Sequence, residues 1–165
     1  MKSIDDYLAE KLSDLINYVL SKIIKPDMKI ENVRELDREK IAELKRVCNI
    51  EGIILDVDET LRKDMKKLPR CNEEWIENLR NQLKIIIVSN GYDGKIKKYF
   101  EERGIDYIGF AHKPLKINLL KACKKMNLKP SKVMIVGDRL WDDIYGGKKT
   151  NMYTTLVKSV EEDER

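Results

Sequence analysis

From residue 52 onward, short apolar runs alternate with stretches of helical periodicity. The runs are GIILD (52–56), KIIIVSN (84–90), DYIGF (106–110), KVMIVGD (132–138) and YTTLV (153–157). Helical patterns lie between them at 72–82, 93–103, 113–127 and 140–149. The order β-α-β-α-β-α-β-α-β argues for a parallel sheet covered by helices on both faces. The expected fold is therefore α/β, a Rossmann-like three-layer sandwich around a central parallel five-stranded sheet. Asn72 is placed to cap the first of these helices and Gly104 to end the second. Leu115, Leu119, Leu120 and Cys123 fall on one side of the third.

The N-terminal part has a different texture. Residues 4–24 carry one apolar stripe at helical spacing, from Ile4 through Leu8, Leu12, Leu15 and Val19 to Ile24. Ser3 with Asp6 resembles a capping box, and Pro26 marks the helix end. A second helix is expected at 38–48. This predicts an N-terminal helical extension over 1–48, ahead of the sheet domain at 49–165. The stripe needs a surface, on the rest of the domain or on a second copy of the chain forming a homo-oligomer through this helix.

Composition excludes several classes. With 165 residues, 42% of them apolar, the chain is long enough for one domain with a real core. No stretch approaches the roughly 20 apolar residues of a membrane span. The start, MKSIDDYLAEKL, has acids where a signal peptide needs an apolar run, so a cytoplasmic protein is expected. Cys48, Cys71 and Cys123 have no paired spacing and read as reduced thiols. The net charge of +4 is too small for a dedicated nucleic-acid binder.

Polar groups stand where the apolar runs stop. Asp56 and Asp58 follow the first, Ser89 and Asn90 the second, Lys113 the third and Asp138 the fourth. Ligands of open α/β sheets bind beyond the carboxyl ends of the strands, so one site is expected to gather these groups. Crowded carboxylates repel unless one is protonated or a cation joins them. Oxygen ligands with no His or Cys nearby suit Mg²⁺. A lysine and a serine at the same place suit a phosphate. Together these groups describe phosphoryl transfer, in which a carboxylate can itself attack phosphorus. Each motif alone has a plainer reading. Asp-x-Asp is common in turns, Ser-Asn-Gly can be an ordinary turn, and Lys-Pro can simply start a helix.

The same residues resemble a known family. DVDETL is similar to the first motif of the haloacid dehalogenase (HAD) phosphatases, VSN to the second, KP to the third and VGDRLWDDIYGG to the fourth. The resemblance covers about residues 26–160, and its motifs are specific as a set. The short spacing between the first two motifs is similar to that of the capless subfamily IIIA. AHKP and GDRLWDDIYGGKKTNMYTTLV are most similar to small bacterial phosphatases related to mitochondrial phosphatidylglycerophosphate phosphatase. The resemblance implies a Mg²⁺-dependent phosphomonoesterase acting on a small phosphorylated substrate. Asp56 would be the nucleophile, and Asp58 would protonate the leaving oxygen and then activate water. Thr60 would hold the turn, Ser89 and backbone N–H groups near Asn90 would bind phosphate, and Lys113 would balance charge. Asp56, the carbonyl of Asp58, Asp138 and Asp143 would hold the metal. Two departures stand out: Glu59 replaces the asparagine usual in this branch, and Asp142 a common threonine. A catalytically silent binding module and a phosphotransferase are the alternatives. The full motif set argues against the first, and a site left open to water against the second.

RKDMKKLPR (62–70) follows the first motif directly. Its five basic residues against one acid give an excess equal to the +4 of the whole chain. The stretch is expected to be either a solvated loop or an electrostatic funnel for a polyanionic substrate, such as a lipid or nucleotide phosphate.

Overall fold

The computed structural model describes residues 4–158 and residue 160. Its strands are β1 (Met28–Ile30), β2 (Gly52–Leu55), β3 (Lys84–Val88), β4 (Asp106–Ile108), β5 (Val133–Gly137) and β6 (Tyr153–Val157). They form one all-parallel sheet in the order β1-β6-β5-β2-β3-β4. The sheet thus has six strands where five were expected. The addition is β1, which pairs with β6 and sets Met28 against Thr155. The N-terminal region is therefore not helical throughout, because residues 28–30 belong to the sheet.

Alternation along the strands divides the core into two layers. Ile53, Leu55, Ile85, Ile87, Met134 and Val136 point to one face. There they meet Ile41 and Leu44 of α2 (Arg38–Cys48), Trp75, Ile76 and Leu79 of α3 (Arg70–Leu79), and Ile96 and Phe100 of α4 (Gly94–Glu101). Ile54, Ile86, Val88, Val133 and Ile135 point to the other face, against Leu119, Ala122, Cys123 and Met126 of α5 (Lys116–Met126). Leu115 and Leu120, expected beside Leu119, are instead exposed, because the buried stripe of α5 runs Leu119–Cys123–Met126.

Caps set the helix ends. Asp37 accepts from the Lys40 N–H and starts α2, and Asn49, in the left-handed region at φ 60°, ends it. Asp93 accepts from the Lys95 and Ile96 N–H groups and starts α4. The first residue outside α3 is Pro69, not the expected Asn72. Asn72 lies inside the helix, buried, and its Nδ2 donates to the Leu61 carbonyl at 2.7 Å. The chain between residues 140 and 149 is a π-helical segment, Leu140–Tyr145, followed by one turn of α-helix, α6 (Gly146–Lys149). The first helix, α1, spans Ile4–Ile23. Its expected capping box, Ser3 with Asp6, lies outside the described residues. Among the described residues, no helix is long and apolar enough to cross a membrane.

Candidate active site

The sheet order reverses at β2. From there the chain runs outward through β3 and β4 on one side, then through β5 and β6 on the other, where the earlier β1 forms the edge. The carboxyl ends of β2 and β5 meet at this switch point, where open α/β sheets bind ligands. Asp56 leaves β2 with its N–H still donating to the Val136 carbonyl at 3.0 Å, so the ladder fixes its backbone. The chain then turns sharply. The Val57 carbonyl accepts from the N–H groups of Thr60, Leu61 and Arg62, and Glu59 takes a left-handed φ of 59°. The buried Thr60 hydroxyl stands 3.4 Å from Asp56 Oδ2 and 3.4 Å from Asp138 Oδ1, between the ends of β2 and β5.

Lys113 is buried between two acids. Its Nζ lies 2.7 Å from Asp56 Oδ1 and 2.6 Å from Asp143 Oδ1. The side-chain amide of Asn90 holds the Lys113 backbone from both sides. The Lys113 N–H donates to Asn90 Oδ1 at 2.7 Å, and Asn90 Nδ2 donates to the Lys113 carbonyl at 3.2 Å. The Ser89 hydroxyl accepts from the Gly91 N–H at 3.2 Å. Asp143 arrives from the π-helical segment, a geometry common at functional sites, and the Arg139 N–H donates to its Oδ2 at 3.2 Å. Gly137 makes room for it, since a Cβ there would collide with the Asp143 carboxylate.

Asp56, Asp138 and Asp143 each offer an oxygen within 4.8 Å of the others. One ammonium cannot balance three carboxylates. Burial pushes the Asp56 carboxyl up to about 7; Lys113 opposes this and Asp143 adds to it. Burial, with repulsion from Asp143, likewise lifts Asp138 to about 6. For Lys113, burial works against the charge, but Asp143 and Asp56 outweigh it and its pKa is raised. The cluster thus carries excess negative charge, with only hard oxygen donors, and fits a divalent cation such as Mg²⁺. Asp142 stands apart from the cluster, 3.3 Å from an Arg139 terminal nitrogen.

Asp58 enters from the rim. β2 stops at Leu55, so the turn, not strand alternation, sets its direction. Its carboxylate is not among the three clustered acids. Arg62 Nε donates to Asp58 Oδ1 at 2.7 Å, and the same guanidinium donates to Asp93 Oδ2 at 2.8 Å. Arg62 is buried, which corrects the expectation that its charge belongs to a solvent-facing stretch. Asp58 nevertheless lines the same cleft of about 110 Å³ as Asp56, Ser89, Asn90, Lys113 and Asp143. Larger grooves open elsewhere, one of them around Lys45, Lys84 and Lys125, but that groove gathers no buried titratable group. The chemistry belongs to the small cleft.

Known proteins share this arrangement of chain. The family model for haloacid dehalogenase-like hydrolases matches residues 66–150. The chain is 33% identical over 144 residues to the probable phosphatase YqeG of Bacillus subtilis (strain 168), spanning 86% of this chain and 81% of that protein. Among solved structures it is similar to an uncharacterized protein from Listeria monocytogenes serotype 4b (TM-score 0.55, 20% identity, 70% of this chain and 84% of that one). It is also similar to a putative HAD superfamily (subfamily III A) hydrolase from Legionella pneumophila (TM-score 0.52, 14% identity, 76% of each chain). At these identities the solved structures speak for the fold alone.

Proposed function

The chain belongs to the haloacid dehalogenase-like hydrolase family, and on that premise we propose that it is a Mg²⁺-dependent phosphomonoesterase working through an aspartyl-phosphate. The observation that carries this is Lys113, buried between Asp56 and Asp143 with Asp138 as a third acid. Asp56, Asp138 and Asp143, with the Asp58 carbonyl, would hold the metal. When bound, it supplies positive charge to the phosphoryl oxygens and keeps the acids ionised.

The side chains divide the work. Asp56 attacks phosphorus as the bond to the leaving oxygen breaks, and Asp58 gives that oxygen its proton. Asp58 then takes a proton from water, whose oxygen displaces Asp56 and releases phosphate. Lys113, itself buried, balances the charge of Asp56 and of the phosphoryl group. Ser89 and the N–H groups around Asn90 bind the phosphoryl oxygens, and Thr60 holds Asp56 and Asp138 in register.

A cleft of about 110 Å³ is far smaller than the roughly 300–1,000 Å³ that encloses a whole small molecule. It takes the phosphoryl group and leaves the rest of the substrate outside, as in a capless subfamily IIIA member. An anionic lipid or nucleotide phosphate suits the exposed basic residues at 63–70. Phosphate release from a generic aryl phosphate, with and without Mg²⁺, tests the proposal. The expected result is turnover that EDTA stops and Mg²⁺ restores, and that Asp56→Asn abolishes without unfolding the protein. Undiminished turnover by purified Asp56→Asn would remove Asp56 from its role.

A further inference from the structure

Helix α1 carries nine of the seventeen exposed large apolar residues of the described chain. Ile4, Leu8, Leu12, Leu15, Ile16, Val19 and Ile23 are 47–79% exposed. Successive residues turn by about 100°, so these seven form a single stripe. Among the described side chains of α1, only Leu20 and Ser21 are half-buried rather than exposed, and they lie off the stripe. Ile24, just past the helix end, is buried on that other side, and α1 lies against the π-helical segment. The helix is therefore seated by its back, and its stripe faces away from the domain.

We infer that this stripe pairs with the α1 stripe of a second copy of the chain, in an antiparallel two-helix contact. Three observations favour that occupant. Leu8, Leu12, Leu15 and Val19 are spaced 4, 3 and 4 residues apart, the seam that packs against another helix of the same kind. At roughly 60–120 Å² of apolar surface per large aliphatic side chain, seven residues from each copy cover roughly 800–1,700 Å². That reaches the roughly 1,000 Å² a specific interface requires. Third, the charges have a direction. Asp5, Asp6, Glu10 and Asp14 against Lys11 leave the first part of the sequence of α1 acidic, while Lys22 in its last turn and Lys25 just beyond it are basic. An antiparallel pair sets acidic ends beside basic ends, whereas a parallel pair sets acids beside acids. The same excess of acids over bases within α1 disfavours an anionic lipid surface.

Sedimentation of the full chain over a concentration series tests the pairing. The expected result is a dimer at about 10 µM, as for a Kd near or below micromolar, and a monomer for the double variant Leu12→Asp/Leu15→Asp. Both side chains are already exposed, so that variant keeps its fold and turnover, and its melting temperature no longer rises with protein concentration as that of a dimer does. For orientation, a Leu8→Cys/Val19→Cys variant in a Cys48→Ser/Cys71→Ser background should cross-link between copies, while Leu8→Cys alone should not. A wild-type chain still monomeric at about 100 µM overturns the proposal. So does a double variant that stays dimeric, or a monomer that floats with phosphatidylcholine–phosphatidylglycerol vesicles. Cross-linking through Leu8→Cys alone overturns the antiparallel arrangement.

Discussion

Arg62 donates from Nε to Asp58 and from a terminal nitrogen to Asp93, and Asp93 also caps α4. One guanidinium therefore ties the turn after β2 to the start of a helix. With Oδ1 of Asp58 held this way, Oδ2 lies beside Gly91, where a Cβ would stand 3.7 Å from both that oxygen and Ser89 Oγ. Arg62 acts on the reaction through Asp58, as a positioning residue. Misplacing a catalytic group by about 1 Å can cost about a hundredfold, and we expect Arg62→Met to lower kcat on that scale with KM little changed. Added to Asp58→Asn, the same substitution should cost almost nothing more, because the group it positions is already gone. Steady-state kinetics of the two single variants and the double variant check this, and fully additive losses would assign Arg62 to another partner. Lys113→Met should lose about 10²–10³ in kcat, the scale of a preorganised charge contact. An effect on KM alone would make Lys113 a binding residue.

At the scale of elements, α3 and the turn after β2 depend on each other. Asn72 spans them through its bond to the Leu61 carbonyl. Asn72→Ala leaves that buried carbonyl without this donor, and should cost about 1–3 kcal/mol in denaturant unfolding. The same side chain shows where local sequence misleads. An asparagine ahead of a helical pattern reads as a cap, but Pro69 already ends the extended segment and the helix begins at Arg70. Arg62 misleads in the same way, because its partner Asp93 lies 31 residues away and leaves no mark on the basic run. β1 escaped because three edge residues with Lys29 in the middle carry no readable period. The central strands were legible because a strand buried on both faces is a continuous apolar run. Their ends were legible because the polar groups begin where burial stops. With Arg62 withdrawn, the exposed charge after the turn rests on Lys63, Lys66, Lys67 and Arg70. If these steer a polyanionic substrate, Lys66→Glu/Lys67→Glu should lower kcat/KM for it and weaken its salt dependence, which acts over about 10 Å at 0.1 M. A small aryl phosphate should change little. Equal losses on both substrates would indicate damage to the site, and no loss on either would leave the loop as plain surface.

For the molecule as a whole, one topology both stabilises and strains the fold. The switch point brings the ends of β2 and β5 together, and with them Asp56, Asp138 and, through the π-helical segment, Asp143. Without a cation, the folded state holds protons on Asp56 and Asp138 more tightly than the unfolded chain does. Asp56 moves from 3.8 to about 7 and Asp138 from 3.8 to about 6. A raised folded pKa contributes stability that is full below the unfolded value and is lost as pH rises through the folded one. The metal-free protein should therefore become less stable from about pH 4 to about pH 7. Asp27 and Asp93 run the other way. Their pKa values are lowered, despite some burial at Asp27, by Lys148 and Thr154 and by Arg62 respectively. What they contribute is lost as pH falls below about 4, outside this window. Thermal unfolding in EDTA at pH 5 and pH 7.5 should accordingly give the lower Tm at pH 7.5. Mg²⁺ should restore more stability at pH 7.5 than at pH 5, because a cation binds the ionised cluster and competes with its protons. Asp56→Asn removes one of the repelling charges and should flatten the pH dependence in EDTA. A metal-free Tm that rises across this window would mean that Lys113 alone balances the three acids, and that the cluster exerts no pull on a metal.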